Sequence, residues 1–300
     1  MRSSISRVIV ALWLALPLLG CRFPGREGPV PQSLATSRQL SQQGVTALEQ
    51  GQRQKAEEML AKAVKTCPVD PEARRHYAET LWQRGAGKEA IGQLEEAARL
   101  APEDPTLQVR LAELHLALGE VETAARRAEQ AIRLNPKLAA AWGVRGRIKR
   151  AAGEPQQALA DCHRALGYAP DDRQILLEVA ELHRQLNQPQ RALQTLQTLA
   201  DTYSPAEEPQ HVLHLMGMAY MALGRYDDAV ESLTAAVARE KPSPEILSRL
   251  GEAELLAGHA AEAAAAAQQA LALEPAHQPS RLLLGRIELA RQLQATPRRY

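Results

Sequence analysis

The chain has 300 residues, of which 36 are Lys or Arg and 35 are Asp or Glu, so its formal net charge is only +1. A chain with this balance lacks the electrostatic footprint of a nucleic-acid-binding protein, and we expect no nucleic-acid partner. Aromatic residues make up 3% of the chain, and its apolar content of 45% comes mostly from alanine and leucine. This composition favours helices over strands, because Ala, Leu, Gln, Glu and Arg lose little on entering a helix.

Residues 1–20 predict an export signal. Arg2 and Arg7 precede a run of 12 apolar residues, from Val8 to Leu19. That run is too short to span a bilayer, which takes about 20 apolar residues, and it fits the apolar region of a signal peptide.

The sequence Leu18-Leu19-Gly20-Cys21 resembles the lipobox of bacterial lipoproteins. The resemblance implies cleavage before Cys21 and attachment of diacylglycerol to its sulfur, which anchors the protein in a membrane of the bacterial cell envelope. Arg22 in the next position implies sorting to the outer membrane, with the protein facing the periplasm. An uncleaved anchor or a buried free cysteine is the alternative interpretation.

A tether follows the predicted anchor. Residues 22–36 hold three prolines and two glycines without periodicity, which is typical of a flexible linker. We therefore assign residues 21–36 to the lipidated cysteine and its tether.

The rest of the chain repeats every 34 residues, and a search for such periods comes before any other fold assignment. A three-residue insertion between Tyr203 and Pro209 displaces the last two of seven copies. The prolines at this spacing are Pro68, Pro102, Pro136 and Pro170. A column of alanines comprises Ala56, Ala90, Ala124, Ala158, Ala192, Ala229 and Ala263. A column of turn residues comprises Gly51, Gly85, Gly119, Gly153, Asn187, Gly224 and Gly258.

These columns predict helical hairpins. Gly and Asn tolerate the left-handed conformation that closes a helix, so the turn column marks the end of each first helix. Small residues allow two helix axes to approach closely. Asp70-Pro71, Asp104-Pro105 and Ser243-Pro244 predict an N-cap and a first-turn proline for the next first helix. One hairpin cannot bury its own apolar stripe, so the copies must stack.

The sixth copy resembles the tetratricopeptide repeat (TPR) in the spacing of Leu213, Met216, Gly217, Tyr220, Ala229, Leu233 and Ala236. The resemblance implies an all-α fold, a right-handed superhelical solenoid of about seven helical hairpins with a C-terminal capping helix. The solenoid covers residues 37–294, with copies near 37–70, 71–104, 105–138, 139–172, 173–206, 210–243 and 244–277, a cap at 278–294 and a disordered tail at 295–300. Members of the family bind very different proteins and peptides, so the resemblance implies a protein partner without naming it.

No segment remains for an enzyme domain. Signal, tether, repeats and cap account for essentially every residue, and the motifs G-x-x-x-x-G-K-[ST], G-x-S-x-G and H-E-x-x-H do not occur. We therefore predict no enzymatic activity, no cofactor and no small-molecule substrate.

The two cysteines of the repeats are predicted to stay unpaired. Cys67 follows the first copy and Cys162 lies in the fourth, which separates them by tens of ångströms at about 8–10 Å per stacked layer. A disulfide needs Cα atoms within about 7 Å. We expect Cys162 to fill a core position that Leu60, Leu94 and Leu196 take in other copies.

The family resemblance implies that partners bind the concave face, which the first helices line. Projection from the small-residue positions gives the candidate groove residues Arg75, Glu79, Leu116, Arg147, Arg150, Leu177, Arg184, His214, Met218 and Met221. Ser41 and Val45 stand where some family members clamp a peptide's terminal carboxylate, so that clamp is absent. Because arginine pairs with carboxylates while Leu and Met give adaptable apolar contact, the arginines of copies four and five predict a partner segment mixing acidic and apolar residues.

A stripe of His211, His214, Met218 and Met221 lies on the first helix of copy six. Imidazole and thioether ligands would suit copper, but no second cluster supplies further ligands, and we predict no metal site. A partner-contact patch is the favoured interpretation, with ordinary packing as the alternative.

These features predict a membrane-anchored scaffold for protein–protein interactions in the bacterial envelope. Assembly of a pilus or secretion machine is the specific hypothesis, because some lipoproteins that help such machines assemble resemble this chain. A scaffold that recruits peptidoglycan enzymes or proteases is the alternative, and a copper-handling envelope protein is a hypothesis from another class.

Overall fold

The computed structural model describes residues 31–295, with side chains described as far as residue 289. The predicted signal peptide, the predicted lipidation site Cys21, most of the tether and residues 296–300 of the tail lie outside the described residues. Within them the chain forms fifteen α-helices and no strand. No helix in this range combines the length and apolar character that crossing a bilayer requires.

The helices alternate as the first and second members of seven hairpins, and a single helix follows. The first helices are α1 (Gln32–Glu49), α3 (Pro71–Gln83), α5 (Pro105–Ala117), α7 (Ala139–Ala151), α9 (Arg173–Gln185), α11 (Gln210–Ala222) and α13 (Pro244–Ala257). The second helices are α2 (Arg53–Thr66), α4 (Gly87–Leu100), α6 (Val121–Leu134), α8 (Pro155–Leu166), α10 (Pro189–Ala200), α12 (Tyr226–Arg239) and α14 (Ala260–Leu273), and α15 (Gln278–Ala295) is the last. The predicted all-α solenoid is confirmed.

The first helix begins earlier than the repeat period suggests. α1 starts at Gln32, directly after Pro31, inside the segment 22–36 assigned to the tether. The repeat defines where packing begins, and Ser37 is the first buried residue. From Ser37 the helix extends towards the N-terminus through Ala35 and Leu34, which are good helix formers. It ends at Pro31, because a proline ring inside a helix would clash with the preceding turn. The tether therefore ends by residue 31.

Side-chain caps start several first helices, as the sequence predicts. The carboxylate of Asp70 accepts from the backbone N–H of Glu72, that of Asp104 accepts from Thr106, and the Ser243 hydroxyl accepts from Ile246. Asp172 caps α9 in the same way. Each cap satisfies a helix N–H that has no partner inside the helix, which is typically worth about 1 kcal/mol.

Every turn between the two helices of a hairpin passes through the left-handed region. The glycines of the turn column have φ between 72° and 94°, and Asn187 has φ 54°. A backbone N–H then closes each turn, as from Glu120 to the carbonyl of His115 at 2.9 Å. A side-chain pair lies over this bond in five copies and differs between them: His115 with Glu120, Lys149 with Glu154, His183 with Gln188, Tyr220 with Arg225 and Glu254 with His259. The backbone bond is thus constant while the side chains over it vary.

The core lies between the helices of each hairpin and of its neighbours. A Cβ added at Gly146 would lie 2.6 Å from Sγ of Cys162, so the close approach of α7 to α8 requires glycine there. Cys162 is fully buried in the position that Leu60, Leu94 and Leu196 fill elsewhere, which confirms its predicted role. Burial raises the pKa of its thiol to about 12. Cys67 and Cys162 are both free and buried.

Candidate partner-binding face

The first helices lie side by side, and we call the surface they form the first-helix face. α1 contacts α3, α5 and α9 both contact α7, and α13 contacts α11 and α15. All ten predicted groove residues lie on first helices, with Arg184 exposed and the other nine half-buried. They are Arg75 and Glu79 on α3, Leu116 on α5, Arg147 and Arg150 on α7, Leu177 and Arg184 on α9, and His214, Met218 and Met221 on α11.

Ion pairs join neighbouring first helices across this face. Arg110 of α5 donates to both carboxylate oxygens of Glu79 on α3 at 2.7 to 3.0 Å, and to Glu113 on its own helix at 2.9 Å. Glu113 also accepts from Arg147 of α7 at 2.7 Å. Three successive helices are therefore connected by alternating charges.

The series continues from α7 to α9. Arg150 donates to Glu181 at 2.6 Å, and its Nε lies 3.0 Å from Oε1 of Glu178. Burial raises the pKa of the Glu178 carboxyl, and the charge of Arg150 opposes that rise. We call Glu79, Arg110, Glu113, Arg147, Arg150, Glu178 and Glu181 the ion-pair ladder.

The ladder bears on the prediction that Arg147 and Arg150 pair with acidic residues of a partner. In the structure both arginines pair with glutamates of the chain itself. Their partners Glu113 and Glu181 lie 34 and 31 residues away, close to the repeat period, because successive first helices present equivalent positions to each other. Arg110 was missed, although Glu79 stands 31 residues before it.

The ladder is interrupted at α11, where a pocket opens instead. Seven apolar side chains line it, namely Ala180, Ala192, Leu196, Leu215, Met218, Ala219 and Ala222, together with Arg184, Asn187 and Pro189. The pocket lies between α9, α10 and α11, and its cavity volume is about 80 Å³. Leu177 and Met221 pack against the adjoining core rather than line the pocket. We call this space the α9–α11 pocket.

Charges are paired again beyond α11. Arg249 of α13 donates to Glu245 at 2.9 Å and to Glu252 at 3.2 Å, and Arg286 of α15 lies 3.9 Å from Glu252. The α9–α11 pocket is therefore flanked on both sides by charges that the protein neutralises itself.

Comparison with known families agrees with this architecture. Two family models, both described as tetratricopeptide repeat, match residues 42–105 and 214–280 in one case and 81–148 and 149–213 in the other. Together they span residues 42–280 without a gap. The chain belongs to the tetratricopeptide repeat family.

Several solved TPR structures resemble the chain, whereas a comparison with curated protein sequences gave no match. A TPR protein from Parabacteroides merdae has a TM-score of 0.57 at 17% identity, covering 85% of this chain and 99% of that one. PilF of Pseudomonas aeruginosa has a TM-score of 0.62 at 17% identity, covering 74% and 100%. PilW, described as a widely conserved type IV pilus biogenesis factor, has a TM-score of 0.62 at 19% identity, covering 71% and 98%. At such identities the likeness shows the TPR fold alone.

The histidines and methionines of the stripe on α11 differ in their exposure to solvent. His211 is exposed and His214 is half-buried, whereas Met218 lines the pocket. Burial lowers the pKa of His214, and its Nε2 has no hydrogen-bond partner among the described residues. Across the described part of this TPR chain, no group of three or more His, Cys, Asp or Glu side chains is placed to hold a metal ion.

The positions that form a carboxylate clamp in some TPR proteins hold other groups in this one. Ser41 is buried, and its hydroxyl has no hydrogen-bond partner in the described part of the chain, whereas Val45 is half-buried. Neither offers a positive charge or an amide, so any carboxylate recognition on this TPR solenoid needs a different set of residues.

Proposed function

We propose that the protein is an exported, lipid-anchored TPR scaffold that binds segments of other proteins on its first-helix face. Support comes from the predicted export signal and the lipobox-like sequence within residues 1–21, and from the TPR match over residues 42–280. The observation that carries the binding site is the interruption of the ion-pair ladder at the α9–α11 pocket. From α3 to α9, and again on α13, ion pairs join charges of this face, whereas here apolar surface lies beside Arg184, which pairs with no described residue.

The protein performs no chemistry of its own in this proposal. The TPR fold is an interaction scaffold whose function depends on the surface it presents. The first-helix face offers ion pairs and an apolar pocket, which suit the recognition of an extended peptide or a partner helix.

The process we propose is the assembly of a pilus or secretion machine in the cell envelope. The fold likeness to PilW, a type IV pilus biogenesis factor, over 71% of this chain supports that choice. Recruitment of peptidoglycan enzymes or proteases would use the same architecture, and the identity of the partner separates the two.

The anchor is tested by replacing Cys21 with Ser. Without the thiol no lipid can be attached, so the variant should leave the membrane fraction or accumulate unprocessed, and intact mass should show the loss of the acyl groups. A single acyl chain binds a membrane only marginally, whereas two or more hold firmly. Unchanged fractionation and unchanged mass would exclude the lipid anchor.

The scaffold is tested by affinity purification from detergent-solubilised membranes. Met218→Glu places a charge in the pocket, and Thr198→Glu is the matched control because Thr198 is exposed on the second helix α10. A specific partner should co-purify with the wild type and with Thr198→Glu, and much less of it should co-purify with Met218→Glu. Pilus or secretion subunits among the partners would support the assembly role, and peptidoglycan enzymes or proteases would favour the alternative. Absence of any specific partner would refute the scaffold.

A further inference from the structure

We propose that the α9–α11 pocket recognises a peptide segment in which a carboxylate stands next to an apolar side chain. The carboxylate takes the place of the acidic partners that Arg184 lacks. This inference rests on the proposed scaffold function and adds to it the place and chemistry of recognition.

The repeat supplies an internal comparison for Arg184. Arg150 and Arg184 hold the same position in successive first helices, 34 residues apart. Arg150 reaches across to the next first helix, where Glu181 accepts from it at 2.6 Å and Glu178 lies at 3.0 Å. The guanidinium of Arg150 is therefore neutralised by two carboxylates of α9.

Arg184 faces the corresponding positions of α11, and they are apolar. The equivalents of Glu178 and Glu181 lie 37 residues later, because of the three-residue insertion, and are Leu215 and Met218. Both line the pocket together with Arg184. Within the described residues the guanidinium of Arg184 makes no ion pair or hydrogen bond, and the residue is exposed. The copy thus keeps the cation and lacks both counter-charges.

A second donor lies on the same pocket. Asn187 stands in the turn column where the other six copies have glycine, and it holds the left-handed conformation with φ 54°. Glycine adopts this conformation most readily, so the asparagine adds a side chain where the backbone does not favour one. Asn187 lines the pocket, and its side-chain amide has no hydrogen bond to any described residue. A carboxylate at Arg184 can accept from this amide as well.

The apolar residues that line the rest of the pocket indicate which apolar side chain the peptide would place there. Ala180, Ala192 and Leu196 form a buried floor, each 2% exposed, while Leu215 and Met218 line the side towards α11. The space suits one side chain of the size of Leu, Met or Phe, and methionine adapts to the shape it receives. A bound apolar side chain that covers the pocket would also shield the arginine–carboxylate pair at its rim from water, which strengthens the pair.

The test uses peptides of known sequence. A displayed library of random 12-residue peptides is selected on the immobilised full chain in detergent, and the enriched peptides are synthesised. We expect an Asp or Glu within two positions of a Leu, Met, Ile or Phe. Fluorescence anisotropy should show about 10- to 100-fold weaker binding when that acid is replaced by its amide, as for the loss of a charge-assisted hydrogen bond. A peptide series with free and amidated C-termini tells whether a side chain or the chain terminus supplies the carboxylate.

Variants of the protein assign the effect to the pocket. Arg184→Gln should weaken binding of the acidic peptide by the same factor by which replacing the acid with its amide weakens binding to the wild type. The variant should bind the amide peptide as well as the wild type does. Both results are expected because the two changes remove the same ion pair. Arg133→Gln is the control for the loss of one exposed arginine, because Arg133 lies on the second helix α6 and makes no ion pair with any described residue. Met218→Glu restores the internal carboxylate that copy five has, so it should abolish capture of acidic peptides while leaving the melting temperature unchanged or raised.

Three results would overturn the inference: no enriched peptide, enriched peptides without an acid, or affinities that ignore Arg184→Gln and Met218→Glu. The scaffold function is judged separately. A native partner that co-purifies equally with the wild type and both variants keeps the scaffold and removes this pocket as its binding site.

Discussion

Arg150 and Arg184 hold equivalent positions in successive repeats, yet their loss should affect stability very differently. Arg150→Gln removes the pairs with Glu181 and Glu178. It also leaves the carboxylate of Glu178, whose side chain is only 11% exposed, without its nearest cation. Arg184→Gln removes a guanidinium that no described residue pairs with.

The magnitudes follow from burial. An ion pair between exposed side chains contributes about 0.2–1 kcal/mol, and leaving a largely buried charged group unpaired costs about 1–3 kcal/mol. Because Arg150 is still 35% exposed, water screens part of the interaction, and we expect a loss of about 2 kcal/mol in total. The corresponding change for Arg184→Gln should stay within about 0.5 kcal/mol.

Thermal unfolding at neutral pH, followed by circular dichroism, measures the stability loss of both variants. In a protein of this size about 1 kcal/mol corresponds to a shift of about 2–4 °C, so Arg150→Gln should melt about 4–8 °C below the wild type and Arg184→Gln within about 2 °C of it. The deficit of Arg150→Gln should narrow as the pH falls, since burial already raises the pKa of Glu178 and the carboxyl takes up a proton once Arg150 is gone. Equal melting temperatures for the two variants would show that the ladder does not stabilise the solenoid, and the argument from repeat equivalence would lose its basis.

Other predictions concern buried groups. Burial lowers the pKa values of the half-buried His76 and His214 from the ordinary value of histidine. The unfolded chain therefore binds more protons at low pH, and stability should fall as the pH drops from 7 towards 5. His214→Gln should flatten that dependence, and an unchanged slope would exclude His214 as a contributor. Cys162, with its thiol pKa of about 12, should resist iodoacetamide at pH 8 until the protein is unfolded in urea. Rapid labelling of Cys162 in the native protein would contradict its burial. Gly146→Ala should cost about 1–3 kcal/mol through overpacking against Cys162, measured by urea unfolding, and Cys162→Ala should recover part of it; a stable single variant would mean that α7 and α8 separate easily.

The sequence predicts the fold well because the repeat makes every signal visible several times. The turn column predicted where first helices end, and its residues all have positive φ. The Asp and Ser residues before prolines predicted the caps that start α3, α5 and α13. The start of α1 was wrong by five residues, because a periodic pattern reports packing, and a helix can continue beyond its packed part until a proline stops it.

The candidate site was harder to predict, because a residue's position on a face does not reveal its partner. All ten groove residues lie on first helices, but Arg147 and Arg150 are paired with glutamates of neighbouring copies. The sequence does contain a pattern that predicts these ion pairs, because the opposite charges stand 31 to 34 residues apart, about one repeat along the chain. Reading it requires a comparison of each charged position with its equivalents in the next copy, and the same comparison singles out Arg184 and Asn187.

The pairs over the hairpin turns show how such a chain can diverge. The backbone bond that closes each turn is the same in every copy, while the side chains above it are histidine with glutamate, lysine with glutamate or tyrosine with arginine. Substitution can therefore exchange one pair for another without moving the helices that the turn connects. The copies can therefore differ in sequence while the geometry of their turns stays the same, in keeping with a fold that resembles other solved structures at only 17–19% identity.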